Sequence, residues 1–271
     1  MYSKLVKKYN LTQTPNENQI AFYNEDCEKC YIDKNSPYLD KVKSIYIEDN
    51  KNIDKEFMQY VIYKEKEVKG YYFFILKVED YVNEIIDIVK EVVEGSIILR
   101  YMNYLIVLHK HPLEMKAKTL SDSINEDFYS NIQVFEGFKL SSTDHLLFVF
   151  SLYRYHLQGK SYANLQDLIM SMVKRNSKIL SKLKPVVLKK LNNDFQIEKI
   201  INGMFENNLN VSKTSNSVFM HRNTINNKLE LIKDETSLDI QSFKDAMAMY
   251  FLVNTKWVWV ITLFLCKLHI V

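Results

Sequence analysis

From position 221 the chain reads His-Arg-Asn-Thr-Ile-Asn-Asn-Lys. Arg pairs bidentately with guanine and Asn with adenine, and the N-terminus of a helix attracts phosphate. These residue types can therefore read the edges and backbone of a nucleic acid, provided that a helix presents them on one side. Ile225, Leu229 and Ile232 recur at i, i+4 and i+7, which gives such a helix an inward stripe and turns Arg222, Asn223, Asn226, Asn227 and Lys233 outward. Upstream, Ser212 is expected to cap a short helix through Val218, with Ser215 and Val218 facing inward and small enough for close crossing. Phe219 and Met220 make a tight connection, and His221 stands at the cap position of the second helix. The DNA-binding residues expected from this segment are Ser212, His221, Arg222, Asn223, Thr224, Asn226, Asn227 and Lys228. An ordinary αα-hairpin with a polar outer face fits the same pattern.

Other clusters are less productive. Cys27-Glu28-Lys29-Cys30 is half of a zinc site without nearby ligands to complete it, and no strand is expected before it to make a thioredoxin-like motif. A pair of ordinary thiols is the plainer reading, with a redox or metal sensor as the alternative. His109 and His111 fall on one side of an extended segment with no carboxylate or Cys spaced to help them, so they read as a strand end. No metal and no cofactor is implied. The run from Trp257 to Cys266 is ten uncharged, mostly apolar residues, half the roughly 20 that a membrane span needs, and reads as a packing helix.

Composition bounds the rest. With 47% hydrophobic and 25% charged residues in 271, the chain buries a core and divides naturally into two or three modules. Only 5 Gly are present, and none forms a GxGxxG or GxxxxGK[ST] phosphate loop, which excludes nucleotide enzymes built on those loops. Three cysteines and no signal-like apolar stretch after the basic N-terminus fit a reducing cytoplasm. The net charge of +3 hides a segregation: residues 40–94 hold 13 acids against 9 Lys, whereas residues 154–194 hold 9 Lys and Arg against Asp167 and Asp194. A basic stretch of this kind is either a footprint for a polyanion or a solvated helical face. On the first reading Lys182, Lys184, Lys189 and Lys190 carry nonspecific DNA affinity, because residues 203–256 balance at 6 basic against 6 acidic.

The elements that must position the reader follow from periodicity. Residues 1–56 read as an irregular lead-in with Pro15 and Pro37. A strand is expected over 71–78, a helix from Tyr81 to Gly95, a hairpin of 96–101 and 104–109, a helix opened by Pro112 through about Asp127, a strand over 132–138, and a helix capped by Ser141 or Ser142 through Tyr153. A strand from Phe57 to Tyr63 is expected at the sheet edge. This order predicts an α+β fold, with helices over one face of an antiparallel sheet in residues 57–160. A helical connector fills 161–200, kinked at Pro185, followed by a helix-turn-helix in 201–256 and an apolar tail in 257–271.

His221-Arg222-Asn223-Thr224-Ile225, with Phe205 to Asn210 before it and Lys228 to Ile232 and Leu238-Asp239-Ile240 after it, resembles the C-terminal helix-turn-helix of the PucR/CdaR-like transcriptional regulators. The resemblance is strong from Asp194 to Val253 and fainter over about 70–160, which is similar to the degenerate GGDEF-like domain of such regulators. An active cyclase of that type needs carboxylates on the central hairpin to hold two metal ions, and here the turn is Arg100-Tyr101-Met102-Asn103-Tyr104. The resemblance therefore implies a non-enzymatic, cytoplasmic transcription regulator that binds double-stranded DNA as a homodimer under an unknown small-molecule effector. The sequence departs from the family at Asn226-Asn227, where an aromatic-Arg pair is usual. The alternative is an interaction protein that keeps the fold without DNA affinity.

Overall fold

Apolar residues run without interruption through 72–76 and 104–108, and a strand with no polar alternation must be covered on both faces. These strands lie at the centre of a five-stranded sheet. In the computed structural model, which describes residues 9, 11–12, 14–15, 17–23, 29–45, 47–48, 54–113, 115–157, 159–175 and 177–255, the chain forms an α+β fold in two compact units, 1–162 and 163–271.

The first unit begins with a small sheet: β1 (Gln19–Tyr23) pairs antiparallel with β2 (Lys29–Asp33), and α1 (Leu39–Ile45) leads to β3 (Ile47–Glu48) on the other side of β1. Residues 1–56, expected to be irregular, thus contain a sheet with its own core of Tyr9, Leu11, Phe22, Cys30, Ile32 and Val42. Cys30 is fully buried and its thiol donates to the Phe22 carbonyl at 3.5 Å. Cys27 lies outside the described residues, as does the tail 257–271.

The expected edge strand at 57–63 is helical instead: α2 (Lys55–Phe57) runs into a π-helical turn over Met58–Ile62. Asp54 decides this. Its carboxylate accepts from the Phe57 backbone N–H at 2.6 Å and from the Arg100 N–H at 3.0 Å, capping the helix while tying it to the hairpin. Burial raises the Asp54 pKa from the ordinary carboxylate value, against the pull of those two N–H donors.

The main sheet has the order β5-β6-β4-β7-β8, with β4 (Tyr72–Lys77), β5 (Ile97–Tyr101), β6 (Tyr104–His109), β7 (Gln133–Glu136) and β8 (Tyr162–Asn164). β4 pairs antiparallel with β6 and β7, and β5 with β6 across the turn at Met102 and Asn103. Helices α3 (Val82–Val92) and α4 (Ala117–Phe128) pack Ile85, Val89, Leu120 and Ile124 against Phe74, Leu76, Leu105 and Val107. On the other face, α5 (Thr143–His156) sets Phe150 against Tyr101 and Tyr104, and Tyr153 against Phe135. Helices therefore cover both faces rather than the one expected. Ser142 caps α5 by accepting from the His145 N–H. Pro112 does not open α4, which starts five residues later at Ala117.

His109 is buried and its Nδ1 lies 2.6 Å from the His111 carbonyl oxygen; burial lowers its pKa from the ordinary imidazole value. The described residues contain no group of three or more His, Cys, Asp or Glu able to hold a metal.

The second unit is helical: α6 (Leu165–Arg175), α7 (Ser177–Leu188) containing Pro185, a 3-10 turn over Lys189–Asn193, α8 (Phe195–Glu206), α9 (Val211–Val218), α10 (Arg222–Thr236) and α11 (Phe243–Asn254). α11 packs on α6 and α7, and α10 on α7, so Leu168, Met172, Leu183, Val187, Ile225, Ile232, Met249 and Leu252 are all buried. Among the described residues no helix is long and apolar enough to cross a membrane.

Candidate nucleic-acid interface

The Arg- and Asn-bearing helix depends on how closely α8 and α9 cross. Gly203 sits inside α8, three residues before its end, and glycine within a helix costs up to about 1 kcal/mol against alanine, so a packing reason is expected. A Cβ on it would come within 2.7 Å of Val218 Cγ1 and 3.1 Å of Thr214 Cγ2. Its carbonyl accepts from Thr214 Oγ1 of α9 at 3.2 Å, which ties the α9 side chain to the α8 backbone, and from Asn207 Nδ2 at the end of α8 itself at 2.8 Å. Gly203→Ala should destabilise the unit by a net of about 1–2 kcal/mol in urea denaturation, because overpacking outweighs the gain in helix propensity. A variant as stable as the parent would show that the crossing relaxes freely.

α9 is capped by Asn210, which accepts from the Lys213 N–H at 2.9 Å, and not by Ser212. Ser212 lies inside the first turn, exposed. The inward pair is Thr214 and Val218 rather than Ser215 and Val218, a shift of one position that follows from the earlier start. Ser215 fixes the turn instead. Its Oγ donates to the Met220 carbonyl at 2.6 Å, and its own carbonyl accepts the N–H groups of Phe219 and Met220. The three-residue turn 219–221 is therefore pinned to the last turn of α9.

His221 caps α10 as expected, its Nδ1 accepting from the Asn223 N–H at 3.3 Å. Ile225, Leu229 and Ile232 are buried, and His221, Arg222, Asn223, Thr224, Asn226 and Asn227 are exposed. Six of the eight expected residues thus lie exposed at the cap and in the first turns of α10, and Ser212 lies exposed in the first turn of α9. Lys228 differs. It is half-buried and its ammonium donates to Asp194 Oδ2 at 3.1 Å, joining α10 to the cap of α8. That hydrogen bond, followed by the Ile197 N–H, holds the Asp194 carboxyl below its ordinary range.

Surface charge differs from the count along the chain. Glu235, one of the six acids that balance the reader, is buried against Lys189, whose ammonium donates to its carboxylate at 3.2 Å and its backbone carbonyl at 2.8 Å. Asp239 pairs with Lys233 at 3.1 Å, which raises the Lys233 pKa. The expectation that the connector lysines serve as a free basic face is corrected in turn. Lys189 is held by Glu235, and Lys184 donates to the Val253 carbonyl at the end of α11 at 2.6 Å. Lys182 is exposed, and the Lys190 side chain lies outside the described residues. Arg154, counted in the same basic stretch, is a buried residue of the first unit, donating to the Lys43 carbonyl and stacked on Tyr101, Tyr104 and Phe150.

Sequence reasoning missed Asn210, Gly203 and the Lys189–Glu235 pair. The first two had signals: an Asn just before an apolar residue, and a glycine inside a helical period. The pair had none, since nothing in spacing relates positions 46 residues apart.

No curated protein matches the chain. A crystal structure of a regulator of polyketide synthase expression from Bifidobacterium adolescentis is similar at 12% identity, covering 68% of this chain and 79% of that chain with a TM-score of 0.35. The model of the PucR C-terminal helix-turn-helix domain matches residues 199–254, which take in the end of α8, α9, the turn 219–221, α10 and α11. Residues 199–254 form a PucR C-terminal helix-turn-helix domain.

Proposed function

We propose that the protein is a DNA-binding transcriptional regulator that reads the major groove from the N-terminal half of α10. The observation that carries this reading is the exposure of Arg222, Asn223, Asn226 and Asn227 on one short stretch of a helix whose opposite side is locked into the unit by Ile225, Leu229 and Ile232, in a PucR-type domain. Arg222 and Asn223 contact base edges, and Asn226 and Asn227 reach base edges or backbone from the next turn. Ser212 and Thr224 face phosphate. His221 holds the first turn of the helix, and Lys228 anchors the helix to Asp194 rather than to DNA. A homodimer places two such helices about 34 Å apart, on half-sites one turn of DNA from each other. The sheet unit serves as the scaffold through which an effector shifts that spacing, and no reaction is assigned to it.

The test starts from duplexes enriched out of a random pool by the full chain. Arg222→Ala and Asn223→Ala should each weaken binding to the enriched site by about 1–3 kcal/mol per lost base contact, with melting unchanged, since surface substitutions stay within about 0.5 kcal/mol. If both bind the site as the parent does, α10 is not the reader. If no site is enriched, the interaction-protein reading takes its place.

A further inference from the structure

We propose that Phe219 is a specificity-determining residue whose ring makes apolar contact with a thymine 5-methyl group in the major groove, beside the bases read by Arg222 and Asn223. The inference rests on the DNA-reading function proposed above. Phe219 has φ +55° and ψ +46°, the left-handed region that glycine adopts freely and a bulky side chain does not. Its ring is 90% exposed. A glycine would relieve both penalties, so the ring stabilises nothing within its own unit that explains it. Backbone outliers of this kind are a reason to look for function.

Tyr129 shows the same two properties at the end of α4, so conformation and exposure alone do not single out Phe219. Its place does. Phe219 lies two residues before the His221 cap, in the turn that Ser215 pins through the Phe219 and Met220 N–H groups and the Met220 carbonyl. The ring therefore leaves a fixed backbone point next to the exposed N-terminus of α10. A Phe side chain on a pinned backbone has only two torsions left to fix and so loses little freedom on binding. Chemistry complements position: Arg and Asn read donors and acceptors, but only an apolar group reads the methyl of thymine.

The experiment uses the full chain and its enriched duplex, with each thymine replaced in turn by deoxyuridine, which removes the methyl alone. Phe219→Gly should melt at or above the parent temperature and bind the duplex about tenfold more weakly, while one deoxyuridine position should weaken the parent about fourfold and leave Phe219→Gly unaffected. Phe219→Asn, which also tolerates positive φ, should behave as the glycine variant does and guards against a loosened turn. The proposal is overturned if Phe219→Gly binds like the parent, or if every deoxyuridine position affects parent and variant equally. Arg222→Ala separates the two levels. If it loses binding while Phe219→Gly does not, this inference alone fails; if neither loses binding, the reader assignment fails with it.

Discussion

Ile225→Asp should abolish the folded second unit and specific DNA binding together. Ile225 is fully buried as the first residue of the inward stripe of α10, one turn from the His221 cap and one turn before Leu229. An aspartate there loses the apolar contribution of the isoleucine and buries a carboxylate beside apolar Leu229 and Ile232, which costs about 4 kcal/mol or more. Urea denaturation followed by circular dichroism should show the transition of the second unit displaced to low denaturant while that of the sheet unit stays in place. Binding is then lost through unfolding, in contrast to Arg222→Ala, which leaves the fold intact. A folded Ile225→Asp protein would mean that α10 is not fixed by its stripe.

The second large effect is expected at the Lys189–Glu235 pair. Their side chains are only 7% and 11% exposed, and Lys189 also holds the Glu235 carbonyl near the end of α10. Removing one partner strands a buried charge, so Lys189→Met and Glu235→Leu should each destabilise the second unit by about 3–5 kcal/mol. The double variant, apolar on both sides, should recover most of that loss, since a buried pair often gives little over well-packed apolar residues of similar volume. The cycle is read by chemical denaturation. Single variants within about 1 kcal/mol of the parent would show that the charges stay hydrated.

The parts legible in the sequence were those set by local periodicity or by a cap. The stripe Ile225-Leu229-Ile232 and the cap at His221 were readable because both depend on residues within a few positions of one another. The same holds for the hairpin at 97–109 and the Ser142 cap. The helix at 55–62 was not readable from its Tyr, Val and Ile, which favour strands. Asp54 overrides that preference by capping the helix at the Phe57 N–H while it also accepts the Arg100 N–H from the neighbouring hairpin. The small N-terminal sheet was hidden for a related reason: its strands are short, and they gain their pairing from each other rather than from any strong pattern of their own. Charge was the least reliable guide. Lys189, Lys184 and Arg154 counted toward a basic face along the chain, yet each is turned into its own unit.

Cys30 has a use that its place in the small sheet defines. A thiol with no exposed surface, donating to the Phe22 carbonyl across the β1–β2 pair, reacts with an alkylating reagent only when that pair separates. Peptide-resolved uptake of label at position 30 is therefore a clock for the opening of the N-terminal sheet. Because the small sheet belongs to the first unit, that clock reads the first unit directly rather than the helices of the second.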